Sequence, residues 1–378
     1  FTRHLMPAGI FYHHTTCIIG NGVVISPQVL TGELDQLAAK GIDTSRLYIS
    51  ARAHVIMPYH TLLDRLEEEA KGTAALGTTR SGVGPAYMDK VGRLGIRAGD
   101  LTDLDGFRQR LRFVLDQKNT LITRVYGGQP LSFDEIYEQY RRYAERLAPM
   151  IRETEPIVAE AIERNHRVLL EGAQGSLLDV DFGTYPYVTS SSVIAAGAFS
   201  GLGLSPTKID YVFGVVKAYT TRVGAGPMPT ELHDETGERI RQIAQEFGAT
   251  TGRARRCGWF DAVAARFSTR INGFNGLVLT RLDVLDTFPS IKICTGYMLD
   301  GKVSDRFPTS IAALEKCQPV YEEMPGWQCP TSHMRRYPEL PQAARNYVKR
   351  LEELMGCPID IISIGPQREE SITIRAIP

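Results

Sequence analysis

The chain predicts an α/β fold with a largely parallel central sheet covered by helices on both faces and interrupted by helical insertions. Three observations carry this. Strand-like apolar runs alternate with helical segments along the chain, the pattern of a parallel sheet with crossover helices. Runs such as Leu277-Val-Leu and Ile359-Asp-Ile-Ile are apolar almost without break, as strands buried on both faces are. Glycines, carboxylates and hydroxyls gather where these runs end, at the edge where α/β enzymes bind ligands.

Taken in order, Cys17-Ile-Ile-Gly-Asn-Gly-Val-Val-Ile reads as strand, tight turn, strand. Ser26-Pro27 then supplies a cap and a first-turn proline for a helix ending before Gly41. Leu47-Tyr-Ile-Ser is a strand, Thr61–Lys71 an amphipathic helix, and Gly77–Pro85 a glycine-rich loop. From Leu104 to about His166 the pattern is helical, with breaks near Gly127-Gly128 and around Glu153–Pro156. Strands are expected again at Val168–Glu171, Ile209–Lys217, Gly276–Thr280, Ile291–Thr295 and Ile359–Ser363, with helices at Asp234–Phe247 and Pro341–Met355. No repeat, low-complexity segment or linker is visible. Residues 1–378 are therefore expected to form one domain, with a helical subdomain at about 104–166.

Lys+Arg and Asp+Glu balance at 43 each, so no global field favours nucleic acid or a membrane surface. Any anion site must be a local cluster. The six cysteines are scattered without a C-x-x-C pair, as in a reduced cytoplasmic protein. The histidines show no zinc-ligand spacing. No apolar run reaches membrane-spanning length and no signal peptide is recognisable, and the opening residues Phe1–Gly9 read like the interior of a domain.

Four segments carry candidate chemistry. Glu171-Gly-Ala-Gln-Gly-Ser-Leu-Leu-Asp-Val-Asp leads to the hydroxyls Thr189-Ser190-Ser191-Ser192 just before a small-residue helix, a setting that offers donors to an anion. Asp179 and Asp181 alternate and are expected on one face, with no acid–base role. Thr280-Arg-Leu-Asp283 ends a strand. Its carboxylate either accepts the ring N–H and exocyclic amine of guanine, a donor pair adenine lacks, or caps the following turn; the Arg281 stem suits stacking on a base. Gly248-Ala-Thr-Thr-Gly-Arg-Ala-Arg-Arg256 puts three arginines in a glycine-hinged loop that could close over ligand; guanidinium forks suit carboxylates and phosphates, and the alternative is a solvated basic turn. Gly77–Pro85 is either a phosphate-approaching loop or a surface turn, and it lacks the lysine of a Walker loop.

In order and spacing these segments resemble the adenylosuccinate synthetase family, together with Ile18–Val24, Val223-Gly-Ala-Gly-Pro, Met324-Pro-Gly-Trp and Pro358–Pro366. The resemblance runs nearly the whole length and implies the P-loop-GTPase-related fold of that family. It implies GTP-dependent ligation of L-aspartate to inosine monophosphate (IMP), giving adenylosuccinate, GDP and phosphate through 6-phosphoryl-IMP, with Mg²⁺ bridging phosphates. By the same resemblance Thr79, Arg93, Gln174, Leu178, Thr189 and Arg253 contact IMP, Gln174 also steadying its 6-oxygen. Arg93 does so across a homodimer interface. Aspartate falls to Ala249, Thr250, Thr251, Gly252, Arg253 and Arg255. GTP falls to His4, Arg255, Arg281, Leu282, Asp283, Ser363, Ile364 and Gly365. Arg281 stands where the family usually has lysine, and Thr79-Arg80-Ser81-Gly82 departs from its Thr-Gly-Arg-Gly pattern. The family's base aspartate, acid histidine and lysine-bearing phosphate loop find no match here, so the chain is expected to start after them. The competing expectations are a catalytically silent IMP- and GTP-binding dimer and, from Asp283 alone, a regulatory GTPase.

Overall fold

Short apolar runs become strands here wherever a parallel neighbour can satisfy their backbone groups. The structure, a computed structural model, describes residues 4–248 and 252–376. The chain divides into two compact units, Phe1–Gln174 with Thr189–Lys208, and Gly175–Val188 with Ile209–Pro378.

In the first unit, β1 (Cys17–Ile19) and β2 (Val24–Ile25) flank the expected turn but do not pair with each other. α1 (Pro27–Ala38) starts as read: Ser26 Oγ accepts from Val29 N and Pro27 occupies the first turn. β3 (Leu47–Ser50) pairs in parallel with β1, and β4 (His54–Val55) with β2. α2 (Pro58–Lys71) begins three residues before the expected start, at Pro58, and α3 (Val83–Val91) takes up the end of the glycine-rich segment. α4 (Leu104–Arg124), α5 (Phe133–Leu147) and α6 (Glu155–Glu163) fill the helical block. Just ahead of its second break, β5 (Ile151–Arg152) joins β3 and completes the parallel order β1-β3-β5, and α6 starts within that break. Ile19, Ile49, Leu30, Phe107, Leu111 and Tyr140 belong to one core of nearly inaccessible side chains. α7 (Ala195–Leu202) lies in the unit's second segment and stops at Gly203, whose φ of 71° suits glycine.

The second unit opens with β6 (Phe213–Lys217) and β7 (Thr220–Arg222), then α8 (Glu235–Ala244), capped by Asp234. β8 (Arg256–Gly258) pairs with β7, and β9 (Phe260–Asp261) leads into α9 (Ala262–Asn272) and β10 (Gly276–Thr280). β11 (Ser290–Leu299), β12 (Lys302–Ser304), α10 (Ile311–Lys316) and β13 (Gln318–Pro325) form an antiparallel ribbon with its helix. α11 (Gln342–Met355), β14 (Ile359–Ser363) and β15 (Ser371–Thr373) finish the chain. The sheet order is β15-β14-β10-β6, with β14, β10 and β6 parallel. Leu277, Leu279, Ile359 and Ile362 lie in the unit's main core.

The strand expected at Val168–Glu171 does not form. No strand among the described residues pairs with it, Leu169 is 84% exposed, and Glu171 instead accepts a hydrogen bond from Ala8 N at 3.0 Å. An apolar run supplies side chains for burial, but a strand also needs a neighbour for its N–H and C=O groups.

Candidate functional site

On the second unit, parallel pairing sets the carboxyl ends of β6, β10 and β14 side by side. Arg281, Leu282 and Asp283 follow β10; Ser363, Ile364 and Gly365 close and follow β14. Two segments eighty residues apart thus meet at one sheet edge, the place where α/β proteins hold ligands. Arg281 adopts φ 64°, and Leu282 is fully buried beneath the turn. Ser363 Oγ donates to Gly365 O at 3.0 Å and Ile364 N to Glu370 O at 2.9 Å, folding the β14 end into a tight loop.

Asp283 Oδ1 is buried and has no hydrogen-bond partner among the described residues. Burial pushes its carboxyl pKa up, and the charges of Asp286 and Glu370 push the same way against the pull of Arg281. A hydrogen bond from its own backbone N–H also opposes the rise. Asp286 meets the structural demand instead, accepting from Trp327 Nε1 and Thr331 N, each at 2.7 Å. An acceptor left unsatisfied in this way is costly unless a ligand's donors reach it.

Beside this edge stands a group that the sequence reading missed. Glu246, 1% exposed, accepts from Lys217 Nζ at 2.5 Å and Tyr219 O–H at 2.6 Å through Oε1, and from Arg255 Nη1 at 2.6 Å through Oε2. Burial alone would raise the Glu246 pKa, but these donors overcome it and the value is lowered. Burial lowers that of Lys217 more than Glu246 raises it. Gly252 has φ 64° and donates to Gly248 O at 2.8 Å; the carbonyl of Arg253, an exposed residue, accepts from Gly248 N at 2.8 Å. Ala249, Thr250 and Thr251 lie outside the described residues.

On the first unit, two carboxylates of α2 shape the glycine-rich loop. Glu68 accepts from Leu76, Gly77 and Thr78 N at 3.3, 2.8 and 3.2 Å, and Asp64 accepts from Gly82 N at 2.9 Å and Thr78 Oγ1 at 2.8 Å. The exposed Thr79 and Ser81 share a hydroxyl hydrogen bond of 2.7 Å, one turn before α3 begins. The distant hydroxyl segment comes to the same helix start. Ser190 Oγ is 3.4 Å from where a Cβ on Gly84 would lie, and Thr189 Oγ1 is 3.3 Å from Ser191 Oγ. Convergent hydroxyls and a helix N-terminus are suited to an anion.

Arg93 is exposed at φ 62° just past α3, its carbonyl held by Arg110 at 2.7 Å. With Lys90, Arg97 and Arg110 it lines a cavity of about 580 Å³ that also contains His54, whose pKa is pushed down to about 4 by burial and then by Lys90 and Arg97. His4 is exposed, and its backbone N–H donates to Glu33. Gln174 is exposed at the end of its segment. Leu178, half-buried on the second unit, closes a 3-10 turn. Asp179 and Asp181 do not share a face: Asp179 is buried and accepts from Asp181 and Phe182 N, while Asp181 is exposed, because 180–183 turns. Of the expected IMP contacts, Thr79, Arg93, Gln174 and Thr189 are on the first unit and Leu178 and Arg253 on the second; of the GTP contacts, only His4 is on the first.

The family model described as adenylosuccinate synthetase matches residues 1–372. The adenylosuccinate synthetase of Dehalococcoides mccartyi is 54% identical over 372 residues, covering 98% of this chain and 88% of that protein. That of Carboxydothermus hydrogenoformans is 53% identical over 374 residues, covering 99% and 88%. The structure of fully ligated adenylosuccinate synthetase from Plasmodium falciparum superposes with a TM-score of 0.93 at 35% identity, covering 98% of this chain and 88% of that one. With a fold, an ordered set of segments and a similarity that all run nearly end to end, the chain belongs to the adenylosuccinate synthetase family.

Proposed function

We propose that the protein joins L-aspartate to IMP at the expense of GTP, giving adenylosuccinate, GDP and phosphate. Similarity above 50% to named synthetases over nearly the whole chain favours this over a silent nucleotide-binding dimer. The structural observation that carries the nucleotide choice is the buried, partnerless Oδ1 of Asp283 at the carboxyl edge of the parallel sheet. Guanine's N1–H and 2-amino group offer the carboxylate a pair of donors, one of them for the unpartnered Oδ1; adenine has no such pair.

In the first step the γ-phosphoryl group moves from GTP to O6 of IMP while the N1 proton departs. The aspartate amine then attacks C6, losing a proton, and phosphate leaves with O6. The residues of this chain bind and orient the reactants, which is most of what phosphoryl transfer asks of a protein. Asp283, Arg281, Leu282, Ser363, Ile364 and Gly365 hold the guanine, with His4 and Arg255 on the same nucleotide. Thr79 and Thr189 hold the IMP phosphate, with Arg253 and Leu178 on the rest of the nucleotide, and Gln174 steadies O6. Arg253 and Arg255 orient the aspartate carboxylates, with Gly252 and the undescribed Ala249, Thr250 and Thr251. Among the described residues no three His, Cys, Asp or Glu side chains converge to hold a metal ion. Mg²⁺ bound with the nucleotide would offset the charge of its phosphates.

A homodimer with Arg93 serving the partner's IMP site is supported by its exposure beside three other cations, Lys90, Arg97 and Arg110, and by apolar Met88 and Val91, 63% and 81% exposed on the adjoining helix. A cytoplasmic location accords with two observations: no described helix is long and apolar enough to cross a membrane, and no disulfide joins the cysteines. Purified full-length protein given IMP, aspartate and either GTP or ATP tests the reading. Adenylosuccinate forming with GTP and far more slowly with ATP is expected; none with either overturns it.

A further inference from the structure

Glu246 lies at the base of the arginine loop, two residues beyond α8. Its carbonyl accepts from Arg255 N at 2.9 Å, and Phe247 bridges to Ala254 in antiparallel fashion, so the two arms of the loop form a short hairpin neck. Its carboxylate binds one arm to the other through Arg255 and binds both to the end of β6 through Lys217 and Tyr219. Lys217 also donates to Thr221 Oγ1 at 3.0 Å, and the Arg255 carbonyl accepts from Arg241 Nε at 2.8 Å. Lys217 and Arg255 are therefore each held from a second side.

The charges are unequal. One buried carboxylate faces two cations whose side chains remain 27% and 29% exposed. A carboxylate engaged by Arg255 Nη1 at its Oε2 orients the guanidinium plane without using all five of its donors. A guanidinium so fixed has lost its rotamer freedom before ligand arrives, and it keeps donors for a second carboxylate.

We infer that Glu246 is a positioning residue for the reaction, acting through Arg255: it sets the guanidinium in the orientation that receives the aspartate carboxylate, with Lys217 and Tyr219 fixing the carboxylate itself. The inference rests on the reading of Arg255 as an aspartate ligand. A merely structural Glu246 would affect stability and all substrates alike. A positioning Glu246 acts through one residue, on the ligands that Arg255 is read to hold, aspartate and GTP, and leaves IMP untouched.

The test compares wild-type full-length protein with Glu246→Gln, Arg255→Gln and the double variant, with KM measured for aspartate, IMP and GTP and thermal melting followed in parallel. Glu246→Gln should raise KM for aspartate about 10- to 100-fold, the worth of a lost charged hydrogen bond. KM for IMP should stay within about twofold. The double variant should match Arg255→Gln alone, because the two changes remove the same interaction. An aspartate KM unchanged in Glu246→Gln, or effects of the two changes that simply multiply, would overturn the inference. Should Glu246→Gln not fold, Glu246→Asp keeps the charge and withdraws it by one methylene. It should show the same selective rise, and an unchanged aspartate KM again overturns the idea. If wild-type protein makes no adenylosuccinate, the reading of function has failed; if it does and the cycle is additive, only the positioning role has.

Discussion

Asp283 carries a tension between stability and binding within one side chain. Its folded pKa is raised, chiefly by burial, so the ionised form is disfavoured in the folded protein. A carboxylate raised above its unfolded value binds protons more readily when folded. Its charge therefore costs stability at neutral pH, and that cost fades as pH falls through the raised value. Asp283→Asn removes the charge and should leave the neutral-pH melting temperature equal to or above that of the wild type. The same change places an amide where guanine presents donors. It should raise KM for GTP about 10- to 100-fold and narrow the preference over ATP. Melting and nucleotide kinetics on one preparation check both signs, and a lower melting temperature with unaltered GTP kinetics would return Asp283 to a structural role.

At the scale of elements, the glycine-rich loop before α3 owes its shape to α2. Three successive backbone N–H groups converge on Glu68, whose side chain is 3% exposed. Burial works to raise its pKa, yet the backbone donors and Lys71 prevail and the value is lowered. A lowered carboxylate contributes stability above its unfolded pKa and loses it as pH falls through the folded one. Glu68→Gln should thus cost about 1–3 kcal/mol at neutral pH, with the gap to wild type closing in acid below the ordinary glutamate value. Urea unfolding across that range measures it; a gap that persists at low pH would mean the carboxylate charge is not the cause. Because the loop carries Thr79, the variant should also weaken IMP binding. Legibility followed the same division. Ser26-Pro27, Asp234 and the breaks near Gly127-Gly128 and around Glu153–Pro156 are local signals, and the helices begin and end close to them. Val168-Leu-Leu was an equally clear apolar run, but strand formation needs a neighbour, and hydropathy carries no information about one.

For the whole molecule, the exposed Arg93 bears on assembly. If it serves the partner's site, Arg93→Ala and Gln174→Ala subunits should each be nearly inactive alone, since each lacks one IMP ligand. Mixed and allowed to exchange, they should recover about one quarter of wild-type activity, because half the dimers are hybrids and each hybrid has one intact site. No recovery, with exchange confirmed by mass, would place Arg93 in the site of its own subunit. The α/β class, most helix limits, the strands at β10 and β14 and, through an ordered set of segments, the family are all legible in the residues alone. These rest on periodicity, caps and local composition, which neighbouring residues settle between themselves. The parallel register that sets the ends of β10 and β14 side by side, the reach of Ser190 to the start of α3, and the structural bonds made by Asp286 rather than Asp283 emerge only in three dimensions. The fold alone revealed Glu246, an acid next to Phe247 in the sequence, whose partners stand nine to twenty-nine residues away. Contacts of that kind arise from strand order and burial, and a buried charge acquires its role only when the fold brings its counter-charges to it.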